Sequence, residues 1–233
     1  MKKKFRILLI LLACSRIAYA QDTNPPFQFG LKLTPNIGWL KSDDKEIKSD
    51  GSRFGISYGL IADFGFGENY AFATGIDVAY RGGKTKGEFN SASNDTTTTT
   101  ITETDMKLQY IEFPISLKFK TNEIGQVRYY VQAGLGFGIN IRARADIKET
   151  SETFVAGTSI GTTSFDEENI DINESINAFN MSMIIGGGIE YNISGNTNLL
   201  VGLVFNNGFM DIADGGDYGA RSNYFGLNLG VLF

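Results

Sequence analysis

The last ten residues, Tyr224 to Phe233, alternate strictly between two kinds of side chain. Every second position is apolar: Phe225, Leu227, Leu229, Val231 and Phe233. The positions between them are mostly small or polar. A period of two is typical of a β-strand with different surroundings on its two faces, and about ten residues is the length of a tilted strand that crosses a bilayer. The closing strand of a soluble lipocalin-like barrel or a β-sandwich would show the same alternation, with the apolar face in the core.

Seven further segments alternate in the same way, and their connections are long and short in turn. They run, approximately, over residues 27–40, 54–66, 70–81, 106–120, 127–147, 176–193 and 198–209. Long polar connections cover residues 41–53, 82–105, 148–175 and 211–221, and the dense threonine run 96–100 favours an extended, mobile loop. This rhythm predicts an all-β fold, an eight-stranded antiparallel up-and-down transmembrane β-barrel with the long loops outside the cell and both termini periplasmic.

The face opposite the aliphatic one carries glycines together with charged residues. An eight-stranded barrel has an interior only just wide enough for side chains, so small and polar residues fit there and rows of Phe and Tyr do not. We expect the charged residues to form a structural network inside the lumen, because buried charges must be paired; a catalytic or transport constellation is the alternative. The predicted members are Lys32, Asp63, Asp77, Glu112, Lys118, Arg128 and Glu190.

Two further groups of charged residues lie towards the predicted outer end. Arg81, Arg142 and Arg144 are placed on the inward face, where they would bind an anionic ligand such as a lipid phosphate or pair with the acidic third loop. The fourth loop contains Asp211, Asp214 and Asp217, which is either a plain Asp/Gly turn or a set of calcium ligands.

The first twenty residues have the form of a secretory signal. A basic start and an apolar stretch precede Ala18-Tyr19-Ala20, so we expect residues 1–20 to be the signal peptide and 21–233 the barrel domain; Leu11-Leu12-Ala13-Cys14 leaves lipoprotein processing as an alternative. Residues 21–233 then hold 16 basic against 26 acidic residues, which argues against nucleic acid as a partner. With no histidine and Cys14 as the only cysteine, Ser-His and Cys-His catalysis and His-rich zinc sites are excluded.

The fourth strand, Gln109-Tyr110-Ile111-Glu112-Phe113-Pro114, resembles a characteristic strand of the PorT-like outer-membrane β-barrel family. The founding member of that family is a component of a protein-secretion system, and the family has no agreed catalytic residues. The C-terminal strand resembles the signal by which such barrels are recognised for insertion, which implies the barrel-assembly machinery as a partner.

The prediction is therefore a monomeric, non-enzymatic outer-membrane barrel with no catalytic, metal or cofactor residues. Its role would be structural, adhesive or accessory to an envelope or secretion machine. Its partners would be outer-membrane lipid, the assembly machinery and an unknown protein or glycan at the surface loops. A small porin-like channel is the alternative, although open porins have about sixteen strands; a lipid-modifying enzyme is a third class.

Overall fold

The computed structural model describes residues 27–42, 44, 46–93, 95–156, 158–213 and 219–233. The predicted signal peptide and two of the candidate calcium ligands, Asp214 and Asp217, lie outside these ranges. Nine strands are present: β1 Phe27–Ser42, β2 Ile47–Gly67, β3 Tyr70–Ser93, β4 Thr96–Lys120, β5 Val127–Val155, β6 Thr158–Asp171, β7 Phe179–Ser194, β8 Thr197–Gly208 and β9 Ala220–Leu232. One short 3₁₀ turn, Asn173–Ser175, follows β6. None of the described residues forms a helix long and apolar enough to cross a membrane.

Eight of the nine strands form a closed antiparallel ring. The order around the ring is β1, β2, β3, β4, β5, β7, β8, β9 and back to β1. At the closing seam, residue pairs run from Gly30 opposite Leu232 to Ser42 opposite Ala220, and Phe233 donates its amide to the Phe29 carbonyl at 2.7 Å. The predicted eight-stranded barrel is confirmed. β6 lies outside the ring and pairs with the far part of β5.

The two ends of the barrel differ in their connections. The end with the turns at residues 68–69, 121–126 and 195–196 and with Phe27 and Phe233 is called here the short-turn end; the opposite end is the hairpin end. Gly195 has a φ of 56°, the left-handed conformation that such a tight turn requires.

Three of the four long connections, residues 41–53, 82–105 and 148–175, are mostly strand, so their prediction as loops was wrong. β3 and β4 pair as far as Ser93 opposite Thr96, and β4 pairs with β5 as far as Val155. The threonine run lies inside β4, where the Thr100 and Ser151 hydroxyls are 2.9 Å apart. Threonine is β-branched and suits a pleated strand. The run pairs with β3 on one side and β5 on the other, and this pairing cannot be seen in the local sequence.

The outward face of the ring is apolar and exposed. Leu203 is 66% exposed and Phe54 is 72% exposed, which in water would leave a continuous apolar surface far larger than a monomer carries. Aliphatic residues occupy the middle, and aromatic residues cluster towards both ends, as in a transmembrane barrel. At the short-turn end these are Phe27, Phe29, Phe64, Phe66, Tyr70, Phe119, Tyr129, Tyr191 and Phe233; at the hairpin end they include Phe54, Tyr58, Tyr80, Phe179 and Phe225.

The inward face holds the polar and small residues. Gln28, Thr34 and Asn36 of β1 are buried, as are Asn180 and Ser182 of β7. Small residues make room for large ones: a Cβ on Gly202 would overlap the hydroxyl of the buried Tyr130. The core of this protein is therefore the filled lumen, as expected for a narrow barrel.

A bulge in β5 reverses the alternation near the hairpin end. Gln109 lies opposite Arg142 while its neighbour Tyr110 lies opposite Asn140, so Ile141 is an extra residue. Beyond this point Ala143 and Ala145 face inward, with 0% and 1% exposure. The predicted inward orientation of Arg142 and Arg144 is wrong, because one inserted residue exchanges the two faces of a strand.

Candidate functional site

The lumen near the short-turn end contains a cluster of two lysines and two acids, called here the lower ion cluster: Asp63, Lys118, Lys120 and Glu190. Lys118 Nζ lies 2.8 Å from Asp63 Oδ2 and 2.5 Å from Glu190 Oε1. Lys120 Nζ lies 3.3 Å and 3.0 Å from oxygens of the same two acids. Each lysine therefore bridges both carboxylates. The Lys118 ammonium also lies 4.5 Å from the centre of the Tyr130 ring, which adds a cation–π contact.

A second group, the upper ion cluster, lies further along the lumen and consists of Lys32, Asp77, Arg81 and Glu112. Lys32 Nζ is 2.7 Å from Asp77 Oδ2, and Arg81 Nη1 is 2.6 Å from Glu112 Oε1. Asp77 and Glu112 are directly opposite in the β3–β4 register, so each acid needs its own cation. Arg81 also stacks on Tyr110, with 4.3 Å between the guanidinium carbon and the ring centre.

The two clusters balance in formal charge, with four cations and four anions. Because the side chains of Lys118 and Glu190 are 2% and 1% exposed, an unpaired member would be a buried charge. Six of the seven predicted residues are in these clusters. Strict alternation pointed to each of them, since each shares a face with buried residues.

Two residues differ from their predicted roles, and one member of the lower ion cluster was not predicted. Arg128 lies at the rim of the short-turn end, where its Nη2 is 2.8 Å from Glu123 in the adjoining turn. Arg81 was expected to bind an anionic ligand or the third loop, and instead it pairs with Glu112 inside the barrel. Lys120 was missed, although it lies two residues after Lys118 and so shares its face.

The hairpin end of the lumen is covered by an apolar lid, formed by Ile172, Ile176 and Ile212. These residues come from the β6–β7 and β8–β9 connections and pack against Leu40, Leu108, Tyr110 and Ala143 of the barrel wall. The two connections are joined, since the Asn177 amide donates to the Ile212 carbonyl at 2.8 Å. Ile176 and Ile212 are 7% and 1% exposed, so the lid is part of the packed interior.

Between the lid and the lower ion cluster, the described residues leave two small cavities of about 40 and 30 Å³. Such spaces hold one or two waters each. Their walls include Lys32, Asp77, Glu112 and Gln132. The described residues contain no group of three or more acids that could hold a metal ion.

The predicted insertion signal occupies the outward face of β9 and the residue after it. Phe225, Leu227, Leu229 and Phe233 are exposed, and Val231 is half-buried. The Phe225 ring lies 4.8 Å from that of Phe205 and 5.8 Å from that of Trp39. The Phe233 ring lies 5.8 Å from that of Phe29 on β1. These residues therefore lie on the lipid-facing surface, next to the β1–β9 seam.

A closed barrel with an apolar outer face, aromatic residues at both ends and a packed polar lumen defines the class of transmembrane β-barrels. The family model described as outer membrane protein beta-barrel domain matches residues 19–214, so the chain belongs to that family and is an outer-membrane protein. A search of curated protein sequences gave no match.

Several solved structures resemble this one. Neisserial surface protein A is 16% identical, with 89% of this chain and 97% of that one covered and a TM-score of 0.46. Ail of Yersinia pestis, in complex with the heparin analogue sucrose octasulfate, is 14% identical, with coverage of 90% and 100% and a TM-score of 0.38. The outer membrane protease OmpT of Escherichia coli is 8% identical, with coverage of 93% and 99% and a TM-score of 0.40. These distant likenesses carry no conclusion about the activity of this chain.

Proposed function

We propose that this protein is a closed, non-enzymatic barrel that anchors an extended hairpin surface outside the cell, as an adhesive, structural or accessory component of the envelope. The observation that carries the proposal is the filled lumen. A neutral set of ion pairs lies at one end and an apolar lid at the other, which supports anchoring over solute passage. The part of the molecule left for recognition is the extension formed by β3, β4, β5 and β6 beyond the ring.

Conductance tests this proposal against a porin-like channel. The purified protein in a planar bilayer should show no steady current, because moving an ion along the lumen requires that buried ion pairs separate or that the lid opens. Insertion of folded protein is checked by its heat-dependent shift in gel mobility. Large, stable, ohmic channels in folded preparations would contradict the proposal and favour the porin-like alternative.

The proposed orientation places the hairpin end outside and both ends of the described chain at the periplasmic side. Asp166→Cys lies on exposed β6 and Asn196→Cys lies in a tight turn at the short-turn end. On intact cells, a membrane-impermeant thiol reagent should label the first variant and leave the second unlabelled. After the outer membrane is permeabilised, both should react. Labelling of Asn196→Cys on intact cells would reverse the orientation.

The resemblance of β4 to the PorT-like strand supports the accessory form of the proposal. Two residues of this motif face the lumen: Tyr110 packs against Arg81, and Glu112 forms an ion pair with it. In this chain the motif therefore stabilises the interior of the barrel. Affinity purification of the detergent-extracted protein from its native envelope tests whether it is bound to components of a secretion machine. Stoichiometric recovery of secretion components would support that role, and recovery of the barrel alone would favour a free-standing structural or adhesive protein.

A further inference from the structure

An open groove lies on the outward face of β2–β5, at the level where the apolar surface gives way to charged residues. Its volume is about 400 Å³, and its walls include Arg53, Phe54, Tyr80, Lys107, Arg142 and Arg144. The lining also includes Arg81 of the upper ion cluster and the buried Leu108, whereas the six residues named here lie outside the lumen clusters. Two irregularities lie at the groove: the β5 bulge at Ile141 and a register shift in the β2–β3 pairing between Ser52 and Ile56.

The strand register brings the cationic residues of the groove together. Arg142 lies opposite Gln109, and Arg144 lies opposite Lys107 on β4. Residues directly opposite in an antiparallel pair share a face, so these side chains form adjacent rows. Tyr80 accepts a hydrogen bond of 3.0 Å from the Gln109 amide at the base of these rows.

Acidic residues form ion pairs with two of the cations in the groove, and two arginines have no such partner in the part of the chain that the structure describes. Arg53 pairs with Asp105 at 2.7 Å, and Lys107 pairs with Asp146 at 2.5 Å. Asp171 of β6 lies opposite Arg144 in the register. Among the described residues, neither Arg142 nor Arg144 has an acidic oxygen within 4.0 Å. The two guanidinium groups are therefore available to an anion from outside the protein.

The side of the groove towards the short-turn end is apolar. Phe54 and Ile56 line the groove there; Phe54 is 72% exposed and Ile56 is half-buried. These residues continue the apolar surface that faces lipid. A molecule that fills the groove therefore needs a chain that is compatible with lipid and an anionic head at the level of the arginines.

We propose that this groove binds a phosphorylated lipid of the outer leaflet, with its phosphate on Arg142 and Arg144 and an acyl chain against Phe54 and Ile56. Guanidinium groups bind phosphate in bidentate geometry, and their binding is strengthened where lipid excludes water. The assignment to the outer leaflet rests on the proposed orientation; the binding itself does not.

Native mass spectrometry of the folded barrel in detergent tests the site. Monophosphoryl lipid A is compared with the same lipid after enzymatic removal of its phosphate. The phosphorylated lipid should bind about tenfold more tightly, a difference that two charge-assisted contacts supply. Inorganic phosphate at the same concentration should not compete, because it has no chain for the apolar wall. Equal binding of the two lipids, or full competition by inorganic phosphate, would overturn the proposal.

The variant Arg142→Gln/Arg144→Gln should lose most of the preference for the phosphorylated lipid. Its control, Lys48→Gln/Lys86→Gln, removes two cations from the β2–β3 extension, outside the groove. The control should bind within about twofold of the wild type, since it leaves the two arginines in place. Equal losses in the two variants would overturn the proposal. Detergent exposes both ends of the barrel, so a negative result here is distinct from a failure of the orientation, which whole-cell labelling measures.

Discussion

Individual buried charges decide what this lumen can contain. Glu190 lies between Lys118 and Lys120, at 2.5 Å and 3.0 Å, and its side chain is 1% exposed. Alternation predicted which residues face inward, so the membership of Lys32, Asp63, Asp77, Glu112, Lys118 and Glu190 could be obtained from sequence. The pairing could not, because Asp63 and Lys118 are 55 positions apart and meet only through the ring.

Replacing Glu190 by glutamine should destabilise the barrel by about 3–5 kcal/mol, because two buried lysines then share one carboxylate. The change keeps the size of the side chain, so the loss measures charge and not packing. Urea unfolding of the detergent-refolded protein, followed by the gel-mobility shift or by tryptophan fluorescence, gives the free energy of unfolding.

Glu123→Gln is the matched control for Glu190→Gln. Glu123 pairs with Arg128 at 2.8 Å, but it lies in an exposed turn, where an ion pair contributes about 0–1 kcal/mol. Equal effects of the two substitutions would mean that the lower ion cluster is accessible to water and is not a buried network.

At the level of strands, the sequence predicted the eight strands of the ring but not the strand segments that extend beyond it. Period-two alternation identified all eight ring strands, because the lipid and lumen faces demand different side chains. Beyond the ring both faces of β6 are exposed, so no alternation marks that strand. The bulge at Ile141 was equally hidden, since Ile141 continues the apolar pattern while the chain gains a residue.

Deleting Ile141 should remove the bulge and leave the faces of β5 unchanged, because Arg142 then follows Asn140 directly and stays opposite Gln109. Ala143 and Ala145, which are 0% and 1% exposed, stay in the packed mouth. The variant should therefore fold close to the wild-type level, with regular pairing of β4 and β5. The measurement is the fraction of protein that migrates as the heat-modifiable, folded form.

Ile141→Ala separates loss of the residue from loss of the side chain. It keeps the bulge and removes an apolar group that is 46% exposed on the lipid face, so the folded fraction should stay close to that of the wild type. A deletion variant that folds much less well than Ile141→Ala would contradict this and show that the hairpin end needs the bulge itself.

The whole molecule is closed by one seam, β1 with β9, at which Phe233 exchanges two backbone hydrogen bonds with Phe29. Deleting Phe233 removes those bonds and one aromatic ring, at most about 3 kcal/mol of burial. We expect near-normal refolding in detergent, but a clear fall in folded protein in the outer membrane, because the C-terminal aromatic residue is proposed to be recognised during insertion. Quantitative immunoblotting of membrane fractions measures this.

Two variants separate recognition from stability at this seam. Phe29→Ala removes the same ring contact, 5.8 Å between centres, and leaves the C-terminus intact; Phe233→Trp keeps a terminal aromatic residue. Both should reach the outer membrane at normal levels. If Phe29→Ala and the Phe233 deletion reduce those levels equally, the defect is one of stability and β9 is not an insertion signal.

The seam also sets an order in time. β1 is the first of the described strands to be synthesised, and its partner β9 follows all the others. Until β9 is present, one edge of β1 has no neighbour in the chain, and its amides and carbonyls can pair with another polypeptide. A ring that lacks β9 therefore always has an unpaired strand edge. Pairing between strands so far apart in the sequence is also slow. We therefore expect survival of the chain between export and insertion to depend more on how long that edge stays covered by a helper protein than on the strength of any contact in the finished barrel.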